Sequence, residues 1–315
     1  MIHTGICDLF GIQYPIFQGG MAWISDAELA SAVSNGGGLG IISAMNADAE
    51  YLRNQIAKCR EMTDKPFGVN VMLMSPFVKE VAQVVAEEKV PVVTTGAGLP
   101  TPYMPAWLEA GVKVVPVVPS TAIAKRVERS GAAAVIAEGG ESGGHIGDLT
   151  TMVLTPQVAD AVKIPVIAAG GIADGRGVAA AFMLGAQGVQ CGTCFLVANE
   201  CTVHQNYKNK ILGARDIDTM VTGKRLGHPV RAIKNPFERE FLKKEYDSNV
   251  SDEELEKFGV GALRKAAKEG DMERGTILAG QISGMIHSER PAAQIISTMF
   301  EEAEQVLNGA GKWVK

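Results

Sequence analysis

Residues 165–191 read PVIAAGGIADGRGVAAAFMLGAQGVQC and contain one complete structural unit. Pro165–Ala168 is apolar throughout, as a strand buried on both faces of a parallel sheet reads. Gly170 and Gly171 break it. Asp174 then caps a helix predicted over 174–184, and Gly185 supplies a helix stop. A second buried strand follows at Gly188–Cys191. Two parallel strands joined through a helix make a βαβ unit, and the same unit recurs along the chain.

The junction of helix stop, tight turn and buried strand returns at Gly111-Val-Lys-Val and at Gly131-Ala-Ala-Ala-Val. Strands are expected at Pro15–Gln18, Leu39–Ile42, Gly68–Met72, Val90–Thr94, Val112–Val117, Ala134–Ala137, Pro165–Ala168 and Gly188–Cys191. Helical patterns lie between them, including Asp26–Asn35, Ala47–Met62 and Thr155–Val162, the last with Thr155 as its cap. Eight βα units in a row favour an α/β fold of the closed (β/α)8 TIM-barrel type, with an open eight-stranded sheet as the alternative. After Cys191 the rhythm is lost and residues 203–275 become charged and helical. Ser251–Phe258 opens with the Ser251/Glu254 signature of a capping box, and Ala262–Glu269 follows. The expected organisation is therefore a barrel domain over 1–202, a small helical insertion domain over 203–287, and a segment 288–315 whose amphipathic stretch 292–308 closes the barrel.

Composition narrows the function. Glycine is 36 of 315 residues, about 11% against a usual 7%, without any collagen period. The excess therefore serves turns and close backbone approaches. Apolar runs such as Val114–Val118 are far shorter than a bilayer span, and Asp8 sits where a signal peptide would be apolar, so a cytoplasmic protein with no membrane contact is expected. Five unevenly spaced cysteines make no disulfide framework. The net charge of −5 argues against nucleic acid. Residues 204–244 reverse that sign locally, with ten Lys or Arg against four acids.

In a barrel of this kind the site lies at the C-terminal ends of the strands. Those positions hold Gly19-Gly20-Met21, Asn70, Thr94-Thr95, Glu138, Gly170-Gly171 and Gly192-Thr193. Glycine doublets there leave backbone open to a flat ring or a phosphate, and the loops after strands seven and eight are the usual phosphate loops. Asn70 and Glu138 offer polar edges to a heterocycle. His145 follows strand six within Gly143-Gly144-His145, whose small neighbours expose its ring to the barrel mouth, and it is the candidate for acid–base chemistry.

Three patterns are set aside. Gly175-x-Gly177-x-x-Ala180 resembles a dinucleotide fingerprint but follows the seventh strand without a placed ribose-binding acid. Tyr51 and Lys58 lie on a helix that coats the barrel exterior. Cys191-Gly-Thr-Cys194 lacks the further ligands zinc needs, so no metal is expected and the thiols read as buried neighbours of a ligand loop.

Pro15-Ile-Phe-Gln-Gly-Gly-Met-Ala-Trp23, Phe67-Gly-Val-Asn70, Ala137-Glu-Gly139 with Gly143-Gly-His-Ile-Gly147, Ala168-Ala-Gly-Gly-Ile172 and Gln190-Cys-Gly-Thr193 together resemble the nitronate monooxygenase-like flavoprotein barrels. Within them the chain is most similar to the flavin-dependent enoyl-[acyl-carrier-protein] reductases of FabK type, nearly end to end. That resemblance implies bound FMN, NADH as co-substrate, acyl carrier protein bearing the enoyl thioester as partner, and a homodimer. It implies His145 as the catalytic group. Gly19, Gly20, Met21, Asn70, Thr95, Glu138, Gly143, Gly144, Gly170, Gly171, Gly192 and Thr193 would then form the cofactor site. The alternative it leaves is a nitronate monooxygenase using FMN and oxygen. A flavin-binding barrel without catalysis is a third reading. One departure stands out: Cys194 occupies a position where the family usually has Arg.

Overall fold

The computed structural model describes residues 2–45 and 47–313; Met1, Val314 and Lys315, the outermost positions of the expected first and last segments, lie outside them. Its strands in chain order are β1 (Ile16–Gln18), β2 (Gly40–Ser43), β3 (Phe67–Met72), β4 (Val92–Gly96), β5 (Lys113–Val118), β6 (Val135–Glu138), β7 (Gly144–His145), β8 (Val166–Ala169), β9 (Gly188–Cys191), β10 (Thr219–Thr222) and β11 (Val230–Ile233). Eight of them are parallel in the order β1-β9-β8-β6-β5-β4-β3-β2. A bridge between Phe17 and Leu39 joins the two ends, with Leu39 N–H donating to the Ile16 carbonyl at 2.8 Å. The sheet is a barrel, with helices between successive strands.

Alternation along each strand divides the core in two. Phe17, Leu39, Ile41, Val92, Val115, Ile136 and Ile167 fill the barrel interior. Val69, Val93 and Val114 face outward onto helix residues such as Leu52, Ile56 and Trp107. A short helix that sequence reading did not find, Gly5–Phe10, adds Ile6 and Phe10 to the interior cluster, Phe10 meeting Phe17 edge to face at 5.1 Å. The left-handed residues expected at helix stops are present, with φ of 78° at Gly111, 96° at Gly131 and 95° at Gly185. Asp26 and Asp174 cap their helices as expected.

Two local expectations change. The helix predicted from Thr155 begins at Thr151, and Thr155 is buried inside it. The reason is tertiary: Glu141, ten residues upstream, accepts the Thr151 N–H at 2.9 Å and so caps an earlier turn than the local sequence advertises. The segment after β9 does carry helices (Gln205–Leu212, Pro236–Glu245 and Asp252–Gly259, the last with its capping box). It also carries the antiparallel ribbon β10–β11, which pairs with β7 in a second sheet. The helix Ala292–Asn308 then packs on the helices Gly175–Met183 and Ala27–Asn35.

Candidate active site

A cavity of about 580 Å³ opens at the C-terminal ends of the barrel strands, lined by His145 and by every residue of the expected cofactor site except Thr95. Thr95 fails by strand parity. Thr94 shares the inward face with Asn70, whose Nδ2 donates to Thr94 Oγ1 at 2.9 Å. Thr95, one residue on, points away from the interior and is buried with no partner for its hydroxyl among the described residues.

Buried polar residues hold the loops. Gln18, fully buried at the end of β1, accepts the Ile41 N–H at 3.0 Å and donates to Ser25 Oγ at 2.8 Å and to the Gly19 carbonyl. Ser25 Oγ in turn accepts the Met21 N–H at 3.0 Å. The Gly19–Met21 turn is thus pinned from below, and Gly20 fits only as glycine because a Cβ there would lie 2.3 Å from that of Asn70. On the other side, Thr151 Oγ1 sits 2.9 Å from the Gly170 carbonyl and 3.0 Å from the Glu141 carboxylate, tying the loop after β6 to the loop after β8.

The His145 loop depends on the insertion. Val230 pairs with His145 and Arg231 with Gly144. The Arg231 guanidinium donates to the Gly140 carbonyl from Nε at 3.1 Å and Nη2 at 2.8 Å. Gly143 packs so closely on the backbone of Ala279 that a Cβ would come within 2.7 Å of its Cα. Gly280 N–H donates to Thr193 Oγ1 at 2.9 Å, linking the same segment to the phosphate-type loop. None of these supports carried a sequence signal, because each partner is distant in the chain.

The electrostatics favour an electron-rich guest. Main-chain N–H groups of Gly171, Gly192 and Thr193 donate to no protein acceptor among the described residues. The lining holds no Lys or Arg. Burial pushes the Glu138 carboxyl up to about 7, opposed only in part by the nearby Ser142 hydroxyl. Burial, and then the neighbouring His228, hold His145 below the usual imidazole value, so it is neutral at pH 7. Cys194 is packed in the core, and its thiol together with burial keeps the Cys191 thiol protonated. All five cysteines are free. His228, which the sequence reading left outside the site, lines the cavity beside His145.

These features define a (β/α)8 enzyme, and comparison supplies its class. The family model described as nitronate monooxygenase matches residues 3–83 and 75–302. The chain belongs to the nitronate monooxygenase family of oxidoreductases. More particularly, it resembles FabK from Thermotoga maritima, at 49% identity and a TM-score of 0.97 over the whole of both chains. A nitroalkane oxidase from Streptomyces ansochromogenes is 28% identical with a TM-score of 0.87, over 98% of this chain and 100% of that one. A "probable nitronate monooxygenase" from Staphylococcus saprophyticus is 32% identical over 98% of this chain and 99% of its own length. Among the described residues no helix is long and apolar enough to cross a membrane.

Proposed function

We propose that this chain is an FMN-dependent, NADH-consuming enoyl-[acyl-carrier-protein] reductase that saturates a trans-2-enoyl thioester. The observation that carries this reading is the full-length likeness to FabK. The site fits the cofactor: unbonded N–H groups at Gly171, Gly192 and Thr193 suit a phosphate, as oriented main-chain donors do. With Cys194 in place of a cation, those donors carry the phosphate charge. Asn70 and Glu138, whose carboxyl keeps its proton up to about pH 7, would hold the polar edge of the ring, and the Gly19–Met21 turn would lie against it. Bound there, FMN supplies hydride chemistry between NADH and the β-carbon of the thioester.

The chain's own part is positioning and proton control. A neutral His145 still carries one N–H, which it can donate to the thioester oxygen where negative charge develops. The same group stands ready to pass a proton toward the α-carbon. The test is anaerobic: NADH should bleach the flavin absorbance, and crotonyl thioester should restore it. Restoration only by air would defeat the reductase reading. The second reading, a nitronate monooxygenase, is supported by the family match and by the likeness to a nitroalkane oxidase; in it the neutral His145 would accept a proton from a nitroalkane. Turnover of alkyl nitronates with oxygen is its test.

A further inference from the structure

We propose that His228 is a second hydrogen-bond donor to the substrate oxygen on which charge develops, completing with His145 a two-imidazole cradle at the mouth of the cavity. The proposal deepens the reading above, and it needs only that the substrate present such an oxygen.

The two rings are brought together by construction. The Pro229 carbonyl accepts the Ile146 N–H at 3.0 Å, and Val230 stands opposite His145 in the ladder, so the residues flanking His228 and His145 are locked in register. The turn that presents His228 is equally specified. Gly223 has φ of 79°, and a Cβ there would lie 2.6 Å from the His228 carbonyl oxygen. His228 N–H closes the turn on the Gly223 carbonyl at 3.2 Å.

The ring of His228 itself is used for nothing else. Both imidazoles line the cavity, and neither makes a hydrogen bond among the described residues. Their centroids are 6.5 Å apart and the planes meet at 76°. The rings make no hydrogen bond to each other at that separation. One oxygen atom between them can accept from both at an ordinary distance of about 2.7–3.2 Å. The other charged groups nearby are committed: Glu141 to Thr151, and Arg231 to the Gly140 carbonyl. With no Lys or Arg in the lining, charge forming on a substrate oxygen is met by imidazole and main-chain N–H groups. An imidazole kept for packing alone would be buried; His228 is exposed.

The test uses the full chain loaded with FMN, as wild type, His228→Ala and His228→Gln. The rate at which crotonyl-N-acetylcysteamine restores the flavin absorbance is measured anaerobically and divided by the rate at which NADH bleaches it. The ratio is expected to fall about 10²-fold in His228→Ala, the scale for loss of one such donor. His228→Gln, which keeps a neutral N–H at similar reach, should recover at least about tenfold of that loss. An unchanged ratio in His228→Ala, or Gln no better than Ala at equal flavin occupancy, overturns the proposal. If wild type is not recoloured by the thioester, the reductase reading has failed separately, and the same variants are then assayed with ethylnitronate and oxygen. Loss in His228→Ala with rescue by Gln again supports the pair, and equal rates overturn it.

Discussion

Gly192 offers a clean test of where the phosphate would sit. Its φ of −113° and ψ of −63° are open to any L-residue, so a side chain adds no backbone strain. A Cβ there would meet only Met21 Sδ, at an ordinary 3.7 Å, with no other atom within 4 Å. Met21 lines the cavity, so the new group projects into space a ligand would use. Gly192→Val is therefore expected to leave the flavin-free chain folded with a nearly unchanged Tm. It should also keep phosphate oxygens off the N–H groups of Gly192 and Thr193. Losing one hydrogen bond to a charged group costs about 1.5–3 kcal/mol. That corresponds to a Kd for FMN raised roughly 10- to 150-fold. Gly171 is a poorer site for the test, because its φ of 74° would strain any replacement. The assay is quenching of FMN fluorescence on titration with flavin-free protein, with a thermal melt alongside. An unchanged Kd in a folded Gly192→Val would refute the placement.

Three further outcomes are expected. His145→Ala should retain FMN while enoyl reduction slows by roughly 10²–10⁴; a wild-type rate of flavin reoxidation by enoyl thioester would make His145 structural. Glu138 holds its proton to about pH 7 when folded, against an ordinary carboxylate value of 4.5, so the native state binds more protons between those values and stability falls as pH rises through that window. The Tm of flavin-free Glu138→Gln, measured against wild type, should gain from about pH 4.5 to 7 and then level off; parallel curves would contradict the assignment. For the basic segment, Arg239→Glu with Lys243→Glu should raise the apparent KM for carrier-bound substrate in a salt-dependent way and spare small thioesters; equal effects on both substrates would remove carrier docking from this helix.

The barrel was legible because strands buried on both faces print short apolar runs, and because helix stops such as Gly131 and Gly185 punctuate them. The cavity was legible because glycines accumulate where those strands end. Thr95 was misplaced since β4 runs on to Gly96, which leaves Thr95 within the pleat and facing outward. The ribbon escaped notice because TMVT and VRAI are short, one carries Arg231, and the partner strand is two residues long. Counting charge overstated the free cations. Lys208 is buried against the Ala198 carbonyl, Arg225 meets Asp252, and Lys244 lies over the Phe258 ring. The side chains of Lys210, Lys224, Arg239 and Lys243 make no ion pair or hydrogen bond among the described residues, and these are the cations that remain uncommitted.

The pairing of β7 with β11 also sets an order of assembly. Gly140 and Arg231 are 91 positions apart, and Arg231 emerges in synthesis only after all eight barrel strands. Until it arrives, the loop bearing His145 lacks the ladder and the guanidinium that shape it, although the strands on either side of it already exist. Closing a contact over that distance is among the slower steps of folding, since chain entropy must be surrendered before the contact forms. The Gly143–His145 loop thus takes its final shape only once β11 has been made, after the last strand of the barrel.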